Sequence, residues 1–351
     1  MKLKRFEGNP IIEPIESNKW ESEAVFNCGA AYKDGLVHLL YRAIGDYGSY
    51  KSTLGYAVSE DGFNFQRYDK PALESIELYE IGGCEDSRIT EIEGKFYVTY
   101  VAHSEHACAE NGIARTALAS TTDFINFERH GIITPEGADE RDVVLFPEKI
   151  DGKYVMLHRP INWTKKDVYE TTDGLYLKVK NKTIKWPIEE KLIFPEKPSI
   201  WIAYSDDLKN WHNHKVVMKS EREWEGIKIG AGPPPIKTEE GWLSIYHGSS
   251  WLSNSKYRNY KGEIYNMVYK AGVALLDLKD PSKVIARTKE PILEPEEDYE
   301  IFGDVPNVVF PEGAVVKGDE LFVYYGAADK TCCLATCKLD ELVDFLLRGK
   351  K

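Results

Sequence analysis

Residues 84–101 carry the sequence CEDSRITEIEGKFYVTYV, in which an acid and a base two residues apart, Asp86 and Arg88, precede a hairpin signal. The Glu-Gly turn in its middle lies between two runs of alternating apolar residues, a pattern typical of a tight β-hairpin. Side chains at positions i and i+2 of a strand point to one side, so Asp86 and Arg88 are expected to project together, with Glu85 turned away. A carboxylate beside a guanidinium indicates either a structural ion pair or half of an acid-catalysis site.

The same hairpin signal occurs at four further places in the chain. Turns that end in glycine are found at residues 33–35, 150–152, 239–241 and 316–318. Four of the five turns precede strands rich in tyrosine, HLLYR, KFYVTYV, WLSIYHG and LFVYYGA, whereas the third strand, KYVMLHR, has its tyrosine early. Each hairpin is followed by a strand that ends in an aspartate turn, clearly at Asp61, Asp123 and Asp207 and more weakly at Asp277 and Asp340.

Five units of about four strands each are typical of a propeller, in which successive blades pack around a channel. We therefore predict an all-β, five-bladed β-propeller that spans residues 1–351 as a single domain, with a short C-terminal helix over residues 341–347. A solenoid is less favoured, because the units are not uniform and the ends show no capping repeats. Insertions are expected at residues 164–193 in the third unit and 251–265 in the fourth.

The composition limits the classes of function. The 351-residue chain of 40.0 kDa is 42% hydrophobic, which is enough for a sizeable core, and its net charge is −12. We expect no nucleic-acid partner, because phosphate backbones need a basic surface. We also expect no signal peptide and no membrane helix, since no apolar run follows the basic start or approaches the ~20 residues that a span needs. Six cysteines without paired metal spacing are expected to be reduced thiols, which favours the cytoplasm.

The first strand of each unit is expected to be innermost and to supply site residues. Counting back eight residues from each turn glycine gives Asn27, Asp86, Val144, Pro233 and Phe310. Counting back six residues gives Gly29, Arg88, Phe146, Pro235 and Glu312. Equivalent positions that differ in chemistry indicate a functional role. Asn27 and Asp86 are expected to face one another across a common mouth.

Basic residues recur near the same strand ends, namely Arg42, Arg141, Arg159, Lys228 and His247. In an acidic protein, cations collected at one end of a channel favour the binding of an anion there. Arginine matches phosphate oxygens in a bidentate manner. Each residue taken alone is also consistent with a paired or solvated charge, and His247 with a hydrogen-bonded structural histidine.

Two further groups of residues have no single interpretation. His103 and His106 lack a metal-ligand context and stay unassigned. The aromatic residues of the fourth unit's insertion fit a sugar-stacking lid and simple packing equally well; they are Trp251, Tyr257, Tyr260 and Tyr265.

Three segments carry a resemblance to a known family, namely GCEDSRI at residues 83–89, LFPEK at residues 145–149 and GAGPPPI at residues 230–236. Together they resemble glycoside hydrolase family 130, the β-mannoside phosphorylases and related mannosidases, and the similarity spans nearly the whole chain. The family fold is a five-bladed propeller, as the repeat also predicts. Ser87 is often proline in relatives. Insertions near residues 103–112 and 161–195 are not shared by all members, so they leave the acceptor specificity open.

The resemblance implies a role for each candidate residue. Asp86 matches the single catalytic acid of the family. The positions that hold inorganic phosphate are matched by Arg141, Arg159 and Lys228, with His247 beside them. The positions that contact the mannose whose bond is broken are matched by Asn27 and Asp329, and we group Arg42 and Arg88 with these substrate-binding residues.

The implied reaction is the reversible, inverting phosphorolysis of β-mannosides to α-D-mannose 1-phosphate. We expect β-1,2-linked mannobiose or oligomannosides as substrates, with β-1,4-mannosides next. The expected partners are the mannoside, phosphate as co-substrate and a second copy of the chain in a homodimer, without a cofactor or metal. One carboxylate plus cations suits phosphorolysis, whereas an inverting hydrolase uses two carboxylates. A β-mannoside hydrolase of the same family and a non-catalytic glycan-binding propeller stay open as alternatives.

Overall fold

The computed structural model describes residues 1–105 and 112–349, so His106 and Cys108 lie outside the described part. Strands dominate it, which confirms the all-β prediction. The predicted closing helix is present as α2 (Leu339–Arg348), and α1 (Asp298–Ile301) is a single turn. Two 3₁₀ turns cover Leu78–Glu80 and Glu223–Glu225. No helix within residues 1–105 and 112–349 is long and apolar enough to cross a membrane.

Five antiparallel sheets follow one another in the described chain, after the short strand β1 (Lys4–Arg5). The first sheet contains β2 (Ala24–Lys33), β3 (Leu36–Ile44), β4 (Ser52–Ser59) and β5 (Gln66–Arg67). The second contains β6 (Gly83–Ile92), β7 (Lys95–His103), β8 (Ala114–Thr121) and β9 (Glu128–Ile132).

The third sheet contains β10 (Glu140–Leu145), β11 (Tyr154–Pro160), β15 (Ile200–Ser205) and β16 (Trp211–Met218). Its insertion forms a small separate sheet of β12 (Val168–Thr171), β13 (Gly174–Val179) and β14 (Lys182–Lys185). The fourth sheet contains β17 (Lys228–Ala231), β18 (Ile236–Lys237), β19 (Trp242–Trp251), β20 (Met267–Leu276) and β21 (Val284–Arg287). The fifth contains β22 (Val309–Lys317), β23 (Glu320–Ala327) and β24 (Thr331–Lys338).

The first strands of the sheets lie against one another. Strand β2 contacts both β6 and β22, β6 contacts β10, and β10 contacts β17. The last sheet is completed from the other end of the chain, because β1 pairs with β24. Residues from both ends of the chain therefore share one sheet, and the ends of the inner strands converge on a common region.

The predicted hairpin turns are confirmed where two residues with positive φ join the strands. Asp34 and Gly35 have φ angles of 52° and 83°, and Asp151 and Gly152 have 49° and 76°. Two consecutive positive φ angles define the turn whose twist matches that of paired strands. Aspartate and glycine adopt this conformation at low cost, so the local sequence is sufficient to set these turns.

β-bulges interrupt four of the inner strands, at Asn27, Asp86, Asp142 and Glu312, and the first three of these residues have positive φ angles of 48°, 53° and 58°. Asp142 is therefore the third-sheet equivalent of Asp86, and the count that gave Val144 is wrong. The count fails because β10 ends at Leu145, well before the turn. A bulge adds one residue to a strand and interrupts the alternation of its side chains, so the simple alternation expected for Asp86 and Arg88 is also wrong.

A buried triad of tyrosine, glutamate and arginine recurs in four sheets. The tyrosine lies on the second strand and donates to the glutamate, which also pairs with an arginine of the outermost strand. The triads are Tyr41–Glu21–Arg67, Tyr100–Glu80–Arg129, Tyr246–Glu225–Arg287 and Tyr325–Glu300–Arg5. In these four sheets the tyrosine of the repeated strand motif thus connects the sheet to the loop that precedes it.

We expect Tyr325→Phe to lower the free energy of unfolding by about 1–3 kcal/mol. The reason is that Glu300, which is fully buried, loses a hydroxyl donor at 2.8 Å. Urea denaturation measures the change, and Tyr32→Phe, at a tyrosine that is 38% exposed, is the control, with an expected effect below about 0.5 kcal/mol. Equal losses in the two variants would show that the triad adds nothing.

Candidate active site

A cavity of about 350 Å³ lies where the inner strands converge. Seven of the nine residues predicted for the site line it, namely Asn27, Arg42, Asp86, Arg141, Arg159, Lys228 and Asp329. The other two, Arg88 and His247, are fully buried and contact the cavity-lining residue Asp142. The structure thus brings together residues from all five sheets and their flanking loops.

Asp86 is held by two donors from the first sheet. Asn27 Nδ2 donates to Asp86 Oδ1 at 3.0 Å, and Arg42 Nη1 lies 3.2 Å from the same oxygen. Arg42 also donates to Glu85 at 2.8 Å, and Glu85 in turn contacts His103 at 3.1 Å. Both contacts of Asp86 fall on Oδ1, and 12% of its side chain stays exposed. The predicted proximity of Asn27 and Asp86 is thus present in the structure.

Arg88 does not pair with the carboxylate of Asp86. Its Nη2 lies 3.0 Å from both Asp142 and Glu312, and its Nη1 donates to the backbone oxygen of Asp86 at 2.7 Å. The alternative of a structural Asp86–Arg88 ion pair is therefore wrong. Arg88 instead supports the Asp86 bulge through the main chain, and it lies behind the cavity wall rather than in it.

Asp142 is a site residue that the sequence analysis missed. Arg159 Nε donates to its Oδ2 at 2.8 Å, and His247 Nε2 lies 3.4 Å from the same oxygen. Burial alone would raise the pKa of Asp142, but the positive charges of Arg159 and Arg88 oppose it, and the pKa is held below its ordinary value. Aligning Glu85-Asp86 with Arg141-Asp142, instead of counting from the turns, would have found it.

The cavity presents three cations that keep donors available, although Arg159 is paired with Asp142 through Nε and Nη2. Arg159 Nη1 is buried and has no hydrogen-bond partner among the described residues. Lys228 Nζ lies 5.2 Å from the centre of the Tyr269 ring, and Arg141, with a 32% exposed side chain, comes within only 4.0 Å of Asp139. These groups retain donors for a bound anion.

His247 is not a fourth cation. Burial lowers its pKa to about 3, and this effect exceeds the opposite influence of Asp142. The imidazole is therefore neutral near pH 7, although both its ring nitrogens are buried without a hydrogen-bond partner in the described chain. His247 does not line the cavity but lies behind it, against Asp142 and the lining residue Phe310, so its contact with phosphate stays a prediction.

Asp329 lies in the cavity wall among other acids. Burial raises its pKa to about 8, Arg42 opposes the rise, and Asp304 and Asp86 add to it. Asp304 is itself buried and accepts a hydrogen bond from the Tyr50 hydroxyl at 2.6 Å. Asp329 therefore keeps its proton near pH 7 and can donate a hydrogen bond to a ligand.

The aromatic residues of the insertion between β19 and β20 divide into different roles. The Tyr260 ring stacks on Tyr47 and Tyr50 with centroids 5.0 and 5.2 Å apart, which is packing against the first sheet. Tyr265 lines the cavity, whereas Trp251 does not line it and is 69% exposed to solvent. Tyr257 packs on Phe302. Packing therefore explains Tyr257 and Tyr260, and no contact in the structure assigns any of the four residues to a lid.

Within the described residues, no group of His, Cys, Asp and Glu side chains is arranged to hold a metal ion. The five cysteines described are free, and four of them are buried. The chemistry of the cavity thus rests on carboxyl groups, arginines and a lysine.

Comparison with known proteins places the chain in a family. The sequence model of glycoside hydrolase family 130, described as β-1,4-mannooligosaccharide phosphorylase, matches residues 2–197 and 189–348. A 1,2-β-oligomannan phosphorylase of Thermoanaerobacter sp. (strain X514) is 42% identical over 348 residues, covering 97% of this chain and 99% of its relative. A β-1,2-mannobiose phosphorylase from the same strain is 43% identical over 353 residues with the same coverage.

A solved structure of a mannoside phosphorylase is also similar to this chain. The β-1,2-mannobiose phosphorylase of Listeria innocua, in complex with β-1,2-mannobiose, is 31% identical with a TM-score of 0.74, and the match covers 99% of each chain. The family match places the chain in the glycoside hydrolase class of carbohydrate-active proteins. The chain belongs to glycoside hydrolase family 130.

We expect the stability of the protein to fall as the pH rises from 5 to 9, in part through Asp329. The folded state holds this proton up to a pKa of about 8, whereas the unfolded chain loses it near pH ~4, so the stabilisation is lost as pH rises through the folded pKa. Asp329→Asn mimics the protonated acid and should reduce the pH dependence by at least about 1.4 kcal/mol. Urea unfolding at pH 5, 7 and 9 tests this, and parallel curves for the two proteins would contradict it.

Proposed function

We propose that this protein is an inverting β-mannoside phosphorylase that converts a β-mannoside and phosphate reversibly into α-D-mannose 1-phosphate. The observation that carries the proposal is the presence of Asp86 and three cations, Arg141, Arg159 and Lys228, around one cavity. Substrates with β-1,2 linkages are favoured, because the two relatives with over 40% identity are named for them. Substrates with β-1,4 linkages come next, as in a more distant relative at 31% identity.

The other carboxyl groups of the cavity argue against hydrolysis. An inverting hydrolase needs a second carboxylate that activates water. Asp142 is engaged by Arg159 and Arg88, and Asp329 keeps its proton up to about pH 8, so neither is a free base at neutral pH. Phosphate is already an anionic nucleophile, and it needs cations to orient it instead of a base.

The steps follow from these charges. A phosphate oxygen attacks C1 of the mannosyl group, the bond from C1 to the glycosidic oxygen breaks, and the leaving oxygen takes a proton from Asp86. The positive charges of Arg159 and Lys228 hold the attacking phosphate through charge-assisted hydrogen bonds. Asn27 and Asp329 are assigned to the mannosyl group, to which the protonated Asp329 can donate.

We extend the proposal to the architecture and setting. The five sheets would be the blades of a five-bladed propeller that β1 closes by pairing with β24, and residues 1–351 would form one catalytic domain. The contacts between successive inner strands support this arrangement. The free cysteines favour a reducing compartment such as the cytoplasm, and a homodimer stays a prediction.

The decisive experiment uses β-1,2- and β-1,4-mannobiose with and without phosphate. We expect cleavage that requires phosphate and yields α-D-mannose 1-phosphate, detected by ³¹P NMR. In reverse, the α-phosphate and mannose should release phosphate and form a β-mannoside, whereas the β-phosphate should be inert. Cleavage that is independent of phosphate would identify a hydrolase, and the absence of any cleavage or synthesis would favour a glycan-binding protein.

We expect Asp86→Asn to reduce kcat by about 10²–10⁴-fold while the protein stays folded. The amide retains the size of the carboxyl group but cannot give a proton to the leaving oxygen, and a general acid contributes a factor of this order. Initial rates and the thermal unfolding midpoint are both measured, with Asp344→Asn on the exposed face of α2 as control. Near-native turnover by the Asp86 variant would rule out its role as the acid.

A further inference from the structure

The third sheet lacks the triad that the other four sheets share. On its second strand, His158 occupies the place of the tyrosine, opposite the bulge at Asp142. On its outermost strand, His214 lies opposite Ala203, where the register shifts. The arginines of the other triads pair with alanines in the same way, namely Ala57, Ala119, Ala274 and Ala335. Histidines thus replace both the tyrosine and the arginine.

The carboxyl group of this sheet also has a different origin. It belongs to Glu140, on the first strand itself, and not to the preceding loop. Glu140 Oε2 lies 2.9 Å from His158 Nδ1, His158 Nε2 lies 3.1 Å from His214 Nδ1, and His214 Nε2 lies 3.3 Å from the backbone oxygen of Trp211. Glu140 and His158 have no exposed surface, and His214 is 5% exposed.

The three side chains form a chain of hydrogen bonds without net charge. Burial raises the pKa of Glu140, and burial lowers the pKa of His158 and of His214 to about 3 each. Glu140 then donates through Oε2 to His158 Nδ1, His158 Nε2 donates to His214 Nδ1, and His214 Nε2 donates to Trp211. The hydrogens are assigned from this network, in which every donor has an acceptor.

This chain of hydrogen bonds lies directly beside the two arginines of the cavity in the sequence. Glu140 directly precedes Arg141 in β10, and His158 directly precedes Arg159 in β11. Glu140 Oε1 accepts the backbone N–H of Arg159 at 2.7 Å. Because the bulge at Asp142 interrupts the ladder between β10 and β11, this side-chain contact takes over from a backbone partner.

We propose that the Glu140–His158–His214 chain positions Arg159 and Arg141 for phosphate without adding charge beside them. This inference rests on the proposed function, which assigns both arginines to phosphate. An arginine in place of His214 would add a cation to the buried chain, and an ionised Glu140 would place a negative charge at the backbone N–H of Arg159, where it would compete with phosphate. A neutral chain fixes the backbone at Arg159 and adds no second negative charge to the one that Asp142 already places beside the Arg159 guanidinium.

The test compares three variants with matched controls. Glu140→Gln can still donate to His158 and accept from Arg159, so its KM for phosphate should stay within about twofold of the native value. Glu140→Met loses both contacts and should raise the KM for phosphate by about tenfold, with less than about a threefold change for the mannoside. His214→Phe keeps the ring but removes the far acceptor, and it should raise the KM for phosphate by about threefold.

Two controls separate this inference from the proposed function. Glu300→Gln, in the charged triad of the fifth sheet, should lower the melting temperature and leave the KM for phosphate unchanged. Lys228→Ala should raise that KM if phosphate binds in the cavity at all. If neither the native protein nor Lys228→Ala shows a dependence on phosphate, the proposed function fails and this inference fails with it.

Failure of the inference alone has a distinct signature. It is overturned if Lys228→Ala raises the KM for phosphate while Glu140→Met changes the KM values for phosphate and mannoside equally or changes neither. It is also overturned if Glu140→Gln and Glu140→Met change the KM for phosphate by the same factor. The inference requires the two hydrogen bonds of this side chain, which glutamine keeps and methionine loses. Should Glu140→Met not fold, the KM values of His214→Phe decide, and an unchanged phosphate KM there overturns the inference.

Discussion

The buried carboxylate of Asp142 is the contact on which the cavity depends. It accepts hydrogen bonds from Arg88 of β6 and Arg159 of β11 and lies 3.4 Å from His247 of β19, so one side chain joins three sheets. Removing one partner of a buried ion pair costs about 3–5 kcal/mol, because the other charge is left without compensation. Arg159 can therefore be held in one orientation at the cavity wall only while Asp142 remains ionised beside it.

The position of Asp142 is itself a consequence of backbone conformation. Asn27, Asp86 and Asp142 lie at bulges with positive φ, a conformation that asparagine and aspartate tolerate better than most residues. A bulge redirects a side chain relative to the regular alternation of the strand. The same three residues that can adopt this conformation also carry the polar groups that line the cavity. Local conformational preference and the chemistry of the site are therefore satisfied by one choice of residue.

The sequence predicted those parts of the structure that local preference determines. Two-residue turns such as Asp34-Gly35 and the tyrosine-bearing second strands set the hairpins, and most of the predicted site residues meet in the cavity. Bulges were not predictable from a fixed count, so Val144 was chosen where Asp142 belongs. The neutral state of His247 was also missed, because it follows from burial by distant strands and not from its neighbours in the chain. The early tyrosine of KYVMLHR was a visible sign that the third sheet differs.

Burial explains how a protein with a net charge of −12 can present a cationic cavity. Desolvation disfavours charge on every buried group, but acids can respond by retaining a proton. Asp329 does so up to about pH 8, and burial also raises the pKa values of Glu140 and Glu312. Arginine cannot respond in this way, because its ordinary pKa is too high for burial to discharge it, and the ionised Asp142 stabilises the charge of Arg88. Burying acids and arginines together thus neutralises mainly the acids, and the charge that remains in the cavity has the sign that a phosphate anion requires.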